Sequence, residues 1–424
     1  MASSWTVRPR PGAAAPATGW YPVARSAQVG TTPLPVGAGG RAWVVLRLRP
    51  GAEVTALPPR CPHRLVPLVH ATVVDGRLQC PYHGWQFTAE GRCAEIPSLG
   101  PAGTPPPRAD LTGPWAVEER DGWVWLAPER TSTVRPPRSG GAVPTPEPVP
   151  ALPTPAGPVL GNLDPSLEHA WHPVALAEEL HEGGYVQVRL LGRNWTVHRR
   201  GGVLDADPPA WGVVERHGLV WIAPAEPRDA PLTVPEATDP RAVRAWLPTT
   251  RSGAPAGPLT DLLLDAAHVP VVHPGTAGAH EPVTEVTPQA GGSTSVVSTG
   301  PGRRTTAVHR APFRLRLRTD ELDTGAARTT LFLLQPEDDD STRVFSCLFL
   351  TPPPGTTLTA DEVAAEVAAA SAVLAGDLEL AAGLESTGLP LLPRDELHVP
   401  ADAPGVALRR TLADFAAGPL RRSA

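Results

Sequence analysis

The sequence predicts an α+β protein whose first half is rich in β-strands and whose last part contains a long helix. Short apolar runs at residues 41–48 and 123–126 are separated by proline and glycine, a pattern typical of small all-β domains. Residues 361–385 are rich in alanine and periodic, which predicts a single long helix. Twelve tryptophans, spread over much of the chain, argue against a largely disordered protein.

Length and charge narrow the possible functions. A chain of 424 residues predicts about two to four domains. The net charge of −6 excludes a basic nucleic-acid-binding surface over the whole chain. No apolar run approaches the length of a transmembrane helix, so no membrane partner is expected. Residues 1–16 lack the apolar core of a secretion signal, which predicts a flexible tail and a cytoplasmic protein.

Two short segments combine cysteine with histidine. Cys61 and His63 are followed after 16 residues by Cys80 and His83. Two thiolates and two imidazoles suit one tetrahedral zinc ion. They suit equally a [2Fe–2S] cluster with both cysteines on one iron and both histidines on the other. Each segment contains one cysteine and one histidine, so each offers one ligand to each iron. The residues alone do not distinguish a zinc ion from a [2Fe–2S] cluster.

These segments resemble the cluster-binding signature of the Rieske non-haem iron oxygenases, the ring-hydroxylating and demethylating family. The likeness lies in residues 61–68 (CPHRLVPL) and 78–85 (LQCPYHGW). Respiratory Rieske proteins carry an extra cysteine in each loop, which is absent here, so the oxygenase branch is favoured. The resemblance implies a [2Fe–2S] cluster, held by Cys61, His63, Cys80 and His83. Cys93 and Cys347 are predicted to be ordinary buried small residues.

The chain also contains an internal repeat. Residues 20–24 (WYPVA) recur as 171–175 (WHPVA), and residues 115–128 recur as 211–224. The second copy lacks the stretch that carries both cluster loops, and it contains no cysteine. We therefore predict a second, cluster-free Rieske-like β repeat. The predicted domains are a tail at 1–16, a Rieske domain at 17–130, a proline-rich linker at 131–160, the repeat at 161–228 and a catalytic domain at 229–424.

A second candidate metal site lies in the catalytic domain. Asp265, His268 and His273 form the pattern D-x2-H-x4-H. We predict a helix over 261–268 that is capped by Thr260, so that Asp265 and His268 share one face. Two histidines and one carboxylate suit a facial Fe(II) site with open positions for O2 and substrate. The pattern alone is weak and fits a chance helix and turn equally well.

The resemblance assigns roles to these residues. It implies that His268 and His273 bind iron and that Asp265 links His83 to His268 through hydrogen bonds. It implies an aspartate ligand in the late helix, where Asp377 is the first candidate and Glu379 the second. The sequence departs from the family at two positions: Gly376 stands where glutamate is common, and Leu262 where asparagine is frequent.

The resemblance further implies an α+β catalytic domain with an antiparallel sheet wrapped by helices. It implies an enzyme that uses O2 and external electrons to hydroxylate, demethylate or N-oxygenate a small aromatic or heterocyclic molecule. No flavin- or nicotinamide-binding motif is present, so a separate reductase or ferredoxin is expected. The family is usually a head-to-tail homotrimer. Two alternatives remain, a Rieske electron carrier without a catalytic iron and a lipid- or pigment-binding module.

Overall fold

The computed structural model describes residues 18–138, 143–152, 154–155, 157–228, 232–274, 283–289 and 293–418, so the predicted tail at 1–16 lies outside the described residues. The chain divides into two compact units. The first unit reaches residue 156 and includes the later segments 383–385 and 396–398, and the second contains the rest. Within the described ranges, no helix is both long enough and apolar enough to cross a lipid bilayer.

The described residues of the first unit form ten short strands. They are β1 (Tyr21–Arg25), β2 (Leu34–Ala38), β3 (Arg41–Arg47), β4 (Val54–Leu57), β5 (Thr72–Val74), β6 (Arg77–Gln79), β7 (Gln86–Phe87), β8 (Cys93–Glu95), β9 (Ala116–Arg120) and β10 (Trp123–Ala127). They form three antiparallel sheets, in the orders β1-β10-β9, β2-β3-β4 and β5-β6-β7-β8. The strands predicted at 41–48 and 123–126 are confirmed as β3 and β10.

The first two of these sheets enclose a core that includes Trp43, Val45 and Leu126. We refer to the strands β1–β4, β9 and β10 as the first framework. Residues 58–115, which connect β4 to β9, are the cluster lobe. They contain the third sheet and both predicted cluster loops, so the candidate ligands stand outside the framework core.

The second unit begins with β11 (Val159–Leu160) and six strands that we name the second framework. These are β12 (His172–Leu176), β13 (Tyr185–Leu190), β14 (Arg193–Arg200), β15 (Val203–Asp207), β16 (Gly212–Arg216) and β17 (Leu219–Ala223). Their sheets have the orders β12-β17-β16 and β13-β14-β15. They correspond to β1-β10-β9 and β2-β3-β4. A common origin of the two frameworks, and the predicted domain boundaries, stay predictions.

The rest of the second unit is an antiparallel sheet with helices. The strands are β18 (Val243–Trp246), β19 (Thr250–Ser252), β20 (Val283–Gln289), β21 (Ser293–Gly300), β22 (Arg303–Arg310), β23 (Arg314–Glu321), β24 (Ala327–Asp338), β25 (Ser341–Thr351) and β26 (Leu389–Pro390). The helices are α1 (Ala256–Leu264), α2 (Val269–Val272), α3 (Ala360–Gly383) and α4 (Ala403–Ala417). The large sheet has the order β18-β25-β24-β23-β22-β21-β20, with β19 also paired to β25, and β26 pairs with β11. The long helix predicted near the end is confirmed as α3.

The helix predicted over 261–268 is wrong in both of its limits. Helix α1 begins at Ala256, whose backbone N–H donates to the side-chain oxygen of the distant Asn162 at 2.8 Å. Thr260 therefore lies inside the helix, where its hydroxyl donates to the Ala256 carbonyl. Asp265 has extended backbone angles and ends the helix, so it does not share a helical face with His268. The first residue of α1 is thus determined by a hydrogen bond to Asn162, which is distant in the sequence, and not by a local capping residue.

Candidate metal centres

The cluster loops are two short turns of similar construction. The Cys61 N–H donates to the Val66 carbonyl and the Cys80 N–H donates to the Trp85 carbonyl, each at 2.9 Å. Each loop thus closes on the fifth residue after its cysteine. Leu65 and Gly84 take positive φ angles, which turn the chain back within each loop. The loops therefore present their cysteines from matched positions.

The four predicted cluster ligands lie together and are buried. The rings of His63 and His83 have centroids 4.3 Å apart, and His63 stacks on Trp85 with centroids at 4.5 Å. The thiols of Cys61 and Cys80 are hydrogen-bonded to each other. Burial raises the pKa of Cys61, whereas the hydrogen bond from Cys61 lowers the pKa of Cys80. The two imidazoles thus lie side by side, the two thiols are paired with each other, and all four side chains are buried.

The other two cysteines are outside both cluster loops. Cys93 and Cys347 are both buried, and burial raises the pKa of each thiol to about 12. Their burial agrees with the prediction that both are ordinary buried residues.

The three residues predicted to bind iron also converge. His268 precedes the single-turn helix α2 and His273 follows it, so the turn brings both rings to one side. Their Nε2 atoms lie 3.2 and 2.7 Å from the same oxygen, Oδ1 of Asp377 in α3. One ligand atom from each residue fits within 4.8 Å of the others. Among the described residues, no other group of three or more potential ligands is brought together in this way.

The charges around His268 suit a bound cation. Burial lowers the pKa of His268, but the hydrogen bond to Asp377 and the charges of Asp265 and Asp377 outweigh it, so the pKa lies above its ordinary value. The same carboxylates that favour an imidazolium would favour a metal cation. The Asp265 carboxylate also accepts from the Ala267 N–H at 2.7 Å, which fixes its position. The link from Asp265 to His83 stays a prediction.

Sequence reasoning treated Gly376 only as a departure from the family, but the structure gives it a reason. A Cβ atom at this position would lie 2.9 Å from Cε1 of His273, closer than a side chain tolerates. Helix α3 thus approaches the His273 ring so closely that glycine is required beside Asp377. No local signal predicts this, because the contact joins residues that are distant in the sequence.

Sequence reasoning also missed a buried ion pair that holds α1. Arg409 in α4 donates through both terminal nitrogens to the two carboxylate oxygens of Asp261, at 2.9 Å each. Both side chains are buried. Paired forks of this kind are strong and directional. The pair fixes the helix that leads directly to Asp265 and His268.

Comparison with known families agrees with this geometry at both ends of the chain. Residues 19–107 match the model of the Rieske [2Fe-2S] domain. Residues 299–418 match the model of the vanillate O-demethylase oxygenase C-terminal domain. The chain therefore contains a Rieske [2Fe-2S] domain and a C-terminal domain of the vanillate O-demethylase oxygenase type. The Rieske domain accounts for the cysteine and histidine loops, and the second match contains Asp377.

Individual relatives resemble only part of this chain. The protein TIC 55 of Arabidopsis thaliana is 35% identical over 159 residues, which is 37% of this chain and 26% of the relative. The methylxanthine N1-demethylase NdmA of Pseudomonas putida is 34% identical over 113 residues, 25% of this chain and 31% of the relative. The chain thus covers about a quarter to a third of the length of these relatives. A solved structure of a Pseudomonas putida NdmA mutant with caffeine aligns with 94% of this chain and with 90% of its own chain. The sequence identity is 19% and the TM-score is 0.43.

The residues present fit the metal groups that the family implies. A [2Fe–2S] cluster of the Rieske type needs two thiolates and two imidazoles, which is the buried donor set formed by the two loops. A mononuclear Fe(II) needs two imidazoles and a carboxylate on one face, which is the set formed by His268, His273 and Asp377. Zinc, which the residues alone left open at the first site, has no support from the family match.

Proposed function

We propose that this chain is the catalytic subunit of a Rieske oxygenase that oxidises a small molecule with O2. In this proposal Cys61, His63, Cys80 and His83 hold the cluster. The convergence of His268, His273 and Asp377 within the second unit carries the proposal, since an electron carrier needs no such site. A bound Fe(II) would supply open positions at which O2 and substrate meet.

The residues of the chain have separate roles in this site. His268 and His273 would bind through Nε2, the atoms that already face Asp377 Oδ1. Asp377 would supply the negative charge that compensates the metal. Asp265 acts as a positioning residue, because the His268 ring hydrogen-bonds to its backbone and its carboxylate adds negative charge nearby. Such outer partners orient a metal-bound imidazole.

The proposed substrate is a methylated or unsubstituted aromatic or heterocyclic small molecule. One matched family model is named for vanillate O-demethylase and one relative for methylxanthine demethylation, so oxidative demethylation is the first reaction to test. Hydroxylation and N-oxygenation remain within the proposal.

Electrons come from a separate reductase or ferredoxin. We place the protein in the cytoplasm, where such carriers stay reduced, and we propose a homotrimer that a sedimentation measurement would test.

The deciding experiment is the iron and acid-labile sulfide content of anaerobically purified full-length protein. We expect about three Fe and two sulfide per chain. Asp377→Ala should lower this to about two Fe and two sulfide and abolish O2 consumption with candidate substrates. Glu379→Ala is the matched control, because Glu379 is exposed on the same helix, and it should retain all the iron. If the Glu379 variant lost iron and the Asp377 variant did not, Glu379 rather than Asp377 would be the third ligand.

A second variant pair tests the site through its packing. Gly376→Ala should displace the His273 ring and lower the mononuclear iron content, while the cluster content stays unchanged. Gly383→Ala, in the same helix, meets nothing within 4 Å and should leave both metals in place. About two Fe and two sulfide in the wild-type protein would instead favour the electron-carrier function.

A further inference from the structure

A segment near the end of the chain packs on the first cluster loop. Residues 396–398 belong to the first unit, although they follow helix α3 in the sequence. The Leu397 N–H donates to the carbonyl of Pro62, which lies between two cluster ligands, at 2.9 Å. This backbone bond fixes the later segment against the loop.

The same segment pairs a charge with the loop. Arg64, the residue after the cluster ligand His63, donates through Nη1 to Oε2 of Glu396 at 3.2 Å. Both side chains are only 4% exposed, so solvent screens this pair very little. Nε2 of His398 lies 3.9 Å from the same carboxylate oxygen. Glu396 therefore compensates the charge of Arg64 beside the first cluster loop.

A second arginine of this loop also interacts electrostatically with an acidic residue from a later segment. Arg60 precedes the ligand Cys61, and burial lowers its pKa while the charge of Glu385 opposes that shift. Glu385 lies in segment 383–385, the other late segment of the first unit. Acidic residues from two later segments thus act on the two arginines that flank the ligands of the first loop, Glu396 through a direct ion pair and Glu385 through its charge.

Stability alone does not explain a buried ion pair at this place. Desolvation of two charges often costs as much as their attraction returns, so apolar residues of similar size would hold the segment equally well. A fixed charge beside an iron–sulfur cluster has a different effect, because net charge and hydrogen bonding nearby set the reduction potential. Reduction adds one negative charge, so an uncompensated cation raises the potential and an uncompensated anion lowers it.

We propose that Glu396 sets the reduction potential of the Rieske cluster by compensating the charge of Arg64. Glu396 is thus a tuning residue that acts through Arg64 and His63 rather than a ligand. The inference rests on the Rieske domain and does not require the oxygenase reaction.

The test is a charge cycle on the full-length protein, with the potential measured by redox titration followed by electron paramagnetic resonance. Glu396→Gln should shift the potential to a more positive value and Arg64→Gln to a more negative value. The double variant should return close to the wild type, since the pair is again neutral. Unchanged potentials, or shifts of both single variants in the same direction, would overturn the proposal. The titrations are run at one fixed pH because His398 lies near the carboxylate.

Controls separate tuning from damage to the fold. Glu119→Gln removes the same charge from an ion pair of the first framework, Arg47 with Glu119 at 2.6 Å, and should leave the potential unchanged. If Arg64→Gln fails to retain its cluster, Glu396→Asp replaces it in the comparison. Asp keeps the charge and should stay closer to the wild-type potential than Gln does, and an equal shift in both would contradict the proposal. A shifted potential in a protein that turns over no substrate would support this inference and still reject the proposed function.

Discussion

The first and second frameworks share their strand order but differ in one connecting segment. In each, the first strand pairs with the final hairpin, as β1-β10-β9 and as β12-β17-β16. The first pair of strands in each is interrupted by an irregularity after a proline, Pro22 in one and Pro173 in the other. The likeness thus extends to an irregular feature that two unrelated hairpins would not be expected to share.

Side chains of the two frameworks also make corresponding contacts. The indole N–H of Trp43 donates to the Ala38 carbonyl, and that of Trp195 donates to the Leu190 carbonyl, both at 3.3 Å. Each acceptor stands five residues before its tryptophan. These contacts support the prediction that residues 161–228 derive from a second Rieske-type domain.

The difference lies between two strands. The first framework connects β4 to β9 through the cluster lobe, residues 58–115, whereas the second connects β15 to β16 through residues 208–211. Both nevertheless enclose a buried core of their own. The comparison teaches that the framework folds around its own core, and that the lobe adds the metal chemistry as an insertion.

The largest effect is expected when the cluster lobe is removed from the first framework. Replacement of the cluster lobe by residues 208–211 should leave the first framework folded but without ligands. Iron should fall from about three to about one per chain and sulfide from about two to none. Metal analysis and far-UV circular dichroism test this prediction. A chain that loses its β-structure together with the lobe would show that the first framework, unlike the second, depends on the insertion.

The next effect concerns the corresponding tryptophans. Trp43→Ala and Trp195→Ala should each lower the free energy of unfolding by about 3–5 kcal/mol, because each removes a large buried ring. Only the Trp43 variant should also lose cluster. Urea denaturation followed by circular dichroism and by cluster absorbance separates the two. Trp115→Ala and Trp211→Ala are the controls, since both rings are more than half exposed and should matter little.

A smaller difference should appear in acid. The second framework carries His172 where the first carries Tyr21, and burial lowers the pKa of His172 to about 4. The unfolded chain binds this proton near pH 6.5, so the stabilisation is complete above that pH and is lost as the pH falls towards 4, by roughly 3 kcal/mol. His309, also with a pKa of about 4, adds loss in the same window. His172→Gln should remove part of the loss of stability between about pH 6.5 and pH 4, measured as the urea midpoint at each pH. An unchanged pH dependence in this variant would show that other groups cause the loss.

The smallest effect concerns two matched surface pairs. Arg47 with Glu119 and Arg199 with Glu215 both have nitrogen–oxygen distances of 2.6 Å and are partly exposed. Glu119→Gln and Glu215→Gln should each cost less than about 1 kcal/mol, with nearly equal values, because solvent screens such pairs. The difference from wild type should shrink in high salt. Unequal costs in urea denaturation would show that the frameworks distribute their stability differently.

Several features could be predicted because their causes are local. The cluster loops depend on local hydrogen bonds such as Cys61 to Val66, so the candidate ligands and the loop geometry are encoded in one stretch. Helix α3 follows from its alanine-rich composition, and strands β3 and β10 follow from apolar runs between turn residues. The choice of Asp377 over Glu379 agrees with burial, since Asp377 is buried and Glu379 is exposed.

Other features were decided only by the tertiary structure, because their partners lie far apart in the sequence. Asn162 sets where α1 begins, and this moves Asp265 out of the helix. The approach of α3 to His273 explains Gly376, and the Arg409–Asp261 pair holds α1. The sequence by itself thus determined which side chains can bind metal. Packing of distant segments decided how those side chains are oriented and which charges surround them, since a buried contact forms only when both partners are brought together.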